Sequence, residues 1–165
     1  MEFKRFCAFV IDVFIAIICA FPLCVCIMVL LKIDLGVSMG VDAIWGAIFC
    51  KDCFGGRSIG KRILVYQVID GKTGQIARPF KCVLRNLFCF LGIIDVIPMF
   101  SRSRGLRLGD YVAHTQVISY DKTLKGARLI EAVLTVVCVF AVLVAINMLL
   151  THYASSLGLF GHLYQ

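Results

Sequence analysis

The sequence predicts an all-α membrane protein with three transmembrane helices, a re-entrant or interfacial helix, and a small β-hairpin-like element at the cytoplasmic surface. Two observations lead there. Of 165 residues, 61% are hydrophobic and 16% charged, with a mean hydropathy of +0.94, which is more apolar surface than one small soluble core can hide. The basic residues are also distributed unevenly around the apolar stretches, as they are when lysine and arginine collect on the cytoplasmic flanks of membrane segments.

The first span is Phe6 to Leu31, 26 residues, enough for a tilted crossing of about 30 Å of hydrocarbon at about 1.5 Å rise per residue. Pro22 is expected to kink it. Lys4 and Arg5 before the apolar run resemble the start of a signal peptide. Asp12 inside the run, its continuation to Leu31 and the lack of a small-x-small site argue against cleavage. Ile18 and Leu23, which precede Cys19 and Cys24, argue against lipoprotein processing. The second span, Ile33 to Cys50, is thinned by Asp34, Asp42 and glycines but has the length to cross. Leu129 to Leu150 is the cleanest span, interrupted only by Glu131, Thr135 and Asn147.

The stretch Leu87 to Phe100 has 14 residues, too short for an ordinary crossing. It lies between two basic blocks: Lys51 to Arg85 holds eight Lys and Arg, and Arg102 to Arg128 holds six. Placing both blocks in the cytoplasm makes this stretch re-entrant or interfacial. With Lys4 and Arg5 also inside, sixteen of the seventeen basic residues share one face and only Lys32 opposes them. The amino terminus is then cytoplasmic and the tail from Thr151 to Gln165, which lacks Lys and Arg, extracytoplasmic. A true crossing by Leu87 to Phe100 would export one basic block, against the charge rule.

Ile63 to Ile69 is rich in β-branched residues, Asp70-Gly-Lys-Thr-Gly74 has turn chemistry, and Thr115 to Tyr120 is a plausible partner strand. No linker divides the chain. Residues 1–120 are read as one membrane domain and 121–165 as an additional helix and tail.

The nine cysteines fall mostly inside or beside apolar runs, where cysteine behaves as a small hydrophobe. Cys50 and Cys53 form one Cys-x-x-Cys without a second ligand pair, so no metal is expected. Gly55-Gly-Arg-Ser-Ile-Gly60-Lys61 has the spacing of a phosphate loop, but Arg62 stands where Ser or Thr would hold magnesium, and a membrane helix precedes it. A glycine-rich turn with Arg57, Lys61 and Arg62 meeting lipid phosphates is the better reading. His114, His152 and His162 pair with no nucleophile, so neither an enzyme nor a cofactor is expected. The net charge of +7 follows from membrane topology and does not require nucleic acid.

Asp12 and Asp95 are ionisable groups within apolar stretches, costly unless they face protein or water. Asp12 lies seven positions after Arg5, on the same helix face. A buried cluster in which Arg5, Arg85 and Arg107 neutralise Asp12, Asp95 and Asp110 is the candidate site. It would either exchange ions or hold helices together.

Arg5-Phe-Cys-Ala8 with Asp12, Gly55-Gly-Arg-Ser-Ile-Gly-Lys-Arg62, Asp70 with Thr73-Gly74, Arg85-Asn86, and Leu108-Gly-Asp110 with Ala113 and Thr115 together resemble the RDD family of small bacterial membrane proteins, named for one arginine and two aspartates. The resemblance covers residues 4–119 and leaves the last span outside. It implies that Arg5 is the family arginine, Asp12 the first aspartate, and Asp110 the second, with Asp95 its rival. It also implies either transport, including sodium/proton antiport, or an accessory role beside other membrane proteins. Two functions are therefore expected: proton or cation exchange through the Asp/Arg groups, or a non-catalytic accessory subunit. Either places the protein in the cell inner membrane against anionic lipid headgroups, as a homo-oligomer or with a larger membrane partner. Transport needs oligomerisation, because no second copy of the fold is present to form an inverted repeat.

Overall fold

The computed structural model describes residues 2–31, 36–91, 94, 95, 97, 106–124, 126 and 129–156. The elements whose bounds lie among the described residues follow in the order α1 (Glu2–Leu31), α2 (Gly36–Cys50), α3 (Ile59–Ile63), β1 (Tyr66–Asp70), α4 (Pro79–Leu87), α5 (Leu108–Ala113), β2 (Thr115–Ser119) and α6 (Leu129–Ser156). A single 3-10 turn, Phe88–Leu91, extends α4. Lys32, Arg102, Arg104, Lys125, Arg128 and the tail beyond Ser156, on which the expected topology also draws, lie outside the described residues.

Helix α1 runs unbroken through Pro22 and packs along α2, which in turn packs on α6. Leu129–Tyr153 is long and apolar enough to cross a bilayer, and only 6% of its most apolar window is buried. Such a surface needs lipid or another protein around it. Helix α2 has 15 residues, about 22 Å at the α-helical rise and so short of the roughly 30 Å hydrocarbon layer. The structure is thus mostly helical with one clearly membrane-like helix.

Helix α6 is fastened to the rest. Val136 and Val139 pack on the core formed by Cys50, Cys53, Tyr66, Val68, Ala77, Cys82 and Val117. The Phe140 ring lies against Gly46, where any side chain would collide with it.

The short elements carry local signals that explain their positions. Ser58 caps α3 by accepting from the Lys61 amide at 3.3 Å. Pro79 opens α4, where its missing N–H costs nothing. Helix α5 ends on His114 in the left-handed region, φ 52°. Gly56, at φ 66°, accepts at its carbonyl from the Val68 amide at 2.8 Å, which seats the glycine-rich turn on β1.

The two strands pair antiparallel, with Tyr66 opposite Ser119 and Asp70 opposite Thr115. They are not a hairpin, which corrects the sequence expectation: α4 and α5 lie between them in the chain. The local turn after β1 instead closes by a bridge from Ile69 to Ile76, with Asp70 Oδ1 accepting from Lys72 N at 3.0 Å.

Within the stretch expected to be interfacial, Phe90, Leu91, Ile94 and Ile97 are exposed while Asp95 is 2% exposed. These four apolar side chains face outward and the Asp95 carboxylate inward. Residues 98–100 lie outside the described residues.

Helices α1 and α3 meet in close contact. A Cβ on Gly60 would run into the Ala8 carbonyl and come within 2.9 Å of Asp12 Oδ1. Gly60→Ala is therefore expected to destabilise the protein by roughly 1–3 kcal/mol, the usual cost of overpacking. Gly126→Ala, which meets only Ile76 Cδ1 at 3.6 Å, should leave thermal unfolding in detergent unchanged. Equal melting temperatures for the two variants would contradict the tight α1–α3 contact.

Candidate functional site

The polar interior lies where α1, α3, α4, α5 and the sheet converge. Arg85, in the last turn of α4, is at its centre. Its Nε donates to Asp110 Oδ1 at 2.7 Å, and its Nη1 lies 3.8 Å from Asp52 Oδ2. Both carboxylates come from other elements, so one guanidinium ties α4 to α5 and to the turn that follows α2.

Each aspartate is completed by further donors. Asp110 Oδ1 also accepts from Thr115 Oγ1 at 3.1 Å, and its Oδ2 caps α5 by accepting from the Arg107 amide at 3.3 Å. Asp52 Oδ1 accepts from Lys61 Nζ at 2.5 Å and from the Ser58 amide at 3.1 Å. Its Oδ2 accepts from Asn86 Nδ2 at 3.3 Å, and the same amide group donates to the Phe49 carbonyl at 3.1 Å.

Asp12 accepts from the Gly60 amide at 2.7 Å and has Lys51 Nζ 3.9 Å away. Lys51 and Arg107 flank the Phe9 ring at 4.4 and 4.8 Å from its centroid, close enough for cation–π attraction. Arg107 Nη2 donates to the Arg5 carbonyl at 3.3 Å, and Arg5 Nη2 donates to the Val117 carbonyl at 2.7 Å, joining α1 to β2.

Burial pushes the Asp52 carboxyl up, but Lys61, Arg85 and Lys51 outweigh it and hold the group well below the usual carboxylate range. Burial pushes the Lys61 ammonium down and Arg85 adds to that. Asp52 offsets them only partly, so Lys61 is brought to about 8. Burial lowers Arg107, with Arg85 adding to it. Burial also works against the Arg85 charge, yet Asp110 and Asp52 more than reverse it, and the guanidinium stays protonated.

These contacts place the residues named from sequence. Arg85 and Asp110 are direct partners. Asp95 accepts from the Gly109 amide at 2.9 Å, so the two rivals for the second aspartate stand on the same corner of α5. Asp12, expected to face Arg5, is instead matched by Lys51 and a glycine amide.

The lipid-phosphate set needs correction. Lys61 is 7% exposed and points at Asp52, because the Ser58 cap turns α3 inward. Arg57 donates to the Tyr66 carbonyl at 3.2 Å and lies 3.8 Å over the Tyr120 ring. Arg62 is the one of the three that is exposed.

Asp52, Lys51 and Asn86 were missed as site residues. The available signal was slight: Lys51-Asp52-Cys53 is a charged pair directly at the end of an apolar helix, a place where solvated charges are ordinary. Nearby, Cys53 and Cys82 are buried thiols. Hydrogen bonding to Cys50 and then burial raise Cys53, and burial pushes Cys82 up to about 12. Neither is a ready nucleophile.

A helical, membrane-associated protein with an arginine–aspartate cluster buried at one end of its helices is the class that this fold and site define. The family follows from comparison. The model of the RDD family matches residues 2–114, more than half of the chain, and the protein belongs to that family. The match runs from α1 to the cap of α5 and leaves out β2 and α6. Searches of curated proteins and of solved structures gave no match.

The arrangement links helices and fixes loops through charges that cannot be separated cheaply. Asp52→Asn leaves Lys61 and Arg85 short of a counter-charge and is expected to destabilise the fold by about 3–5 kcal/mol, the usual cost of breaking a buried pair from one side. In the parent, the Asp52 contribution is present above the unfolded carboxylate value of about 3.9 and is lost as pH falls towards its depressed native value. Denaturant unfolding at pH 7 and in acid checks both. A variant as stable as the parent at pH 7 would remove Asp52 from the structural account.

Proposed function

We propose that the protein is a non-catalytic accessory or regulatory component of a larger membrane complex. It would be multi-pass in the cell inner membrane, with its amino terminus and basic segments cytoplasmic and its carboxyl tail extracytoplasmic. One observation supports this above others: Asp52 and Asp110 are closed off by cations and main-chain amides, and the cavity beside Asp110 has about 10 Å³, room for a single water molecule. A cluster so closed suits a rigid connector better than a pathway for hydrated cations.

The outer surface supports the same reading. An apolar groove of about 530 Å³ runs between α4 and α6, walled by Phe80, Val83, Leu134, Cys138, Val142 and Ile146. Apolar concave surfaces of this kind receive partner helices or lipid.

The test is purification from native membranes in mild detergent. Co-migration with a larger membrane protein in near-stoichiometric amount is expected. A lone, monodisperse species after cross-linking in intact cells would reject the accessory role.

A second reading, proton or cation exchange, is favoured by Lys61, whose value of about 8 lets it change charge near physiological pH beside Asp52. It requires ion flux into vesicles reconstituted with the purified protein, abolished by Asp12→Asn without loss of folding. No flux in the parent would reject it.

A further inference from the structure

The groove of about 530 Å³ between α4 and α6 has a defined direction. Helix α4 runs antiparallel to α2: the Pro79 carbonyl accepts from Cys53 Sγ at 3.7 Å, the Phe49 carbonyl accepts from Asn86 Nδ2 at 3.1 Å, and the Phe90 ring lies 5.4 Å from that of Trp45. Helix α6 follows the same course as α4, with Val136 on the core around Cys50 and Cys53 and Phe140 against Gly46. The groove therefore opens beside the charged cluster, at Phe80 and Leu134, and leads away from it towards Leu87 and Ile146.

Its length and walls suit a hydrocarbon chain. From Leu134 to Ile146 the α6 wall rises about 18 Å, close to the roughly 15 Å depth of one leaflet. The α4 wall stops with the helix at Leu87, whereas a partner helix that crosses the membrane needs about 30 Å. Thr135 is the lining residue with a hydroxyl, and that hydroxyl already donates to the Glu131 carbonyl at 2.7 Å. The walls thus offer a polar ligand little to bind.

The mouth has the opposite character. Arg78 is exposed and forms the N-cap of α4, with no side-chain cap bond and no acidic residue in the first turn. The amides of Phe80 and Lys81, at the helix start, have no intrahelical acceptor. Lys81 Nζ is held by Asp70 Oδ2 at 2.6 Å, but among the described residues no carboxylate lies within 4 Å of the Arg78 guanidinium. A guanidinium beside an uncapped helix start favours a phosphate group.

We propose that the groove is a phospholipid site, in which one acyl chain lies between α4 and α6 and the phosphate of an anionic headgroup meets Arg78 and the start of α4. A zwitterionic headgroup is disfavoured, because its ammonium would find no carboxylate among the described residues of the α4 first turn. The proposal rests on the membrane setting of the reading above and needs no protein partner.

Trp45 is the one tryptophan of the chain, and its ring lies 5.6 Å from that of Phe49, which lines the groove. Bromine quenches indole fluorescence at close range, so Trp45 reports on a brominated chain in the groove. The full-length protein in detergent is titrated with phosphatidylglycerol brominated on its acyl chains, and separately with phosphatidylcholine carrying the same chains. Saturable quenching is expected with phosphatidylglycerol, and phosphatidylcholine should need a roughly tenfold higher concentration or more, the factor that goes with one charge-assisted hydrogen bond. Arg78→Gln should raise the half-saturating concentration of phosphatidylglycerol by the same factor. Cys138→Phe, which fills the groove from α6, should abolish quenching by either lipid. Both positions are exposed, so neither substitution disturbs the core. Equal half-saturation for the two headgroups, or an unchanged titration in either variant, overturns the proposal. An unquenched parent overturns it too, and is the result expected if a second copy or another membrane protein fills the groove. Because no partner enters the titration, loss of the accessory role would leave these outcomes unchanged.

Discussion

One guanidinium between two carboxylates sets the shape of this protein. Arg85 reaches Asp110 on one side and Asp52 on the other, and these come from α4, α5 and the turn after α2. Taking such charges out of water is expensive, and their mutual attraction repays the cost only when geometry is good and the remaining lone pairs are satisfied. The three segments therefore have one mutual placement in which the cluster is tolerable. The helices and the two-stranded sheet are arranged around that placement.

Main-chain amides do much of the satisfying. Asp12 accepts from Gly60 N, Asp52 from Ser58 N, Asp95 from Gly109 N and Asp110 from Arg107 N. Each of these carboxylates thus fixes a turn or a helix start, and Asp12, Asp52 and Asp110 also meet a cation. Two of the four donors are glycines whose bare Cα lets the backbone come close: a side chain on Gly109 would strike the Arg85 carbonyl, and one on Gly60 the Ala8 carbonyl. The sequence Gly60-Lys61 that imitates a phosphate loop is used inward, with its amide on Asp12 and its ammonium on Asp52.

This polar interior sits inside an apolar exterior, the reverse of a protein that meets only water. Helix α6 keeps nearly all of its apolar window outside the fold, yet Val136, Val139 and Phe140 fasten it to the core. It lies beyond the part of the chain that matches the family. The family domain thus brings the charged cluster, and the added helix brings a long apolar face and one wall of the groove.

The sequence by itself determined the apolar character, the three long helices and the family. Long apolar stretches are a local property, and α1, α2 and α6 fall where those stretches lie, while the matching motifs from Arg5 to Asp110 placed the chain in the RDD family. The two strands and their pairing were legible as well, from β-branched runs at Ile63–Ile69 and Thr115–Tyr120, but the register was not, because it depends on how α4 and α5 fold between them. Only the tertiary structure decided which charges meet. Asp12 and Arg5 share a helix face, yet Lys51 and the Gly60 amide took the aspartate. Asp52 and Lys61, which look like solvated loop charges, became buried partners. The reason is physical: a charge is solvated or paired according to burial and distance in three dimensions, and neither quantity is set by neighbours along the chain.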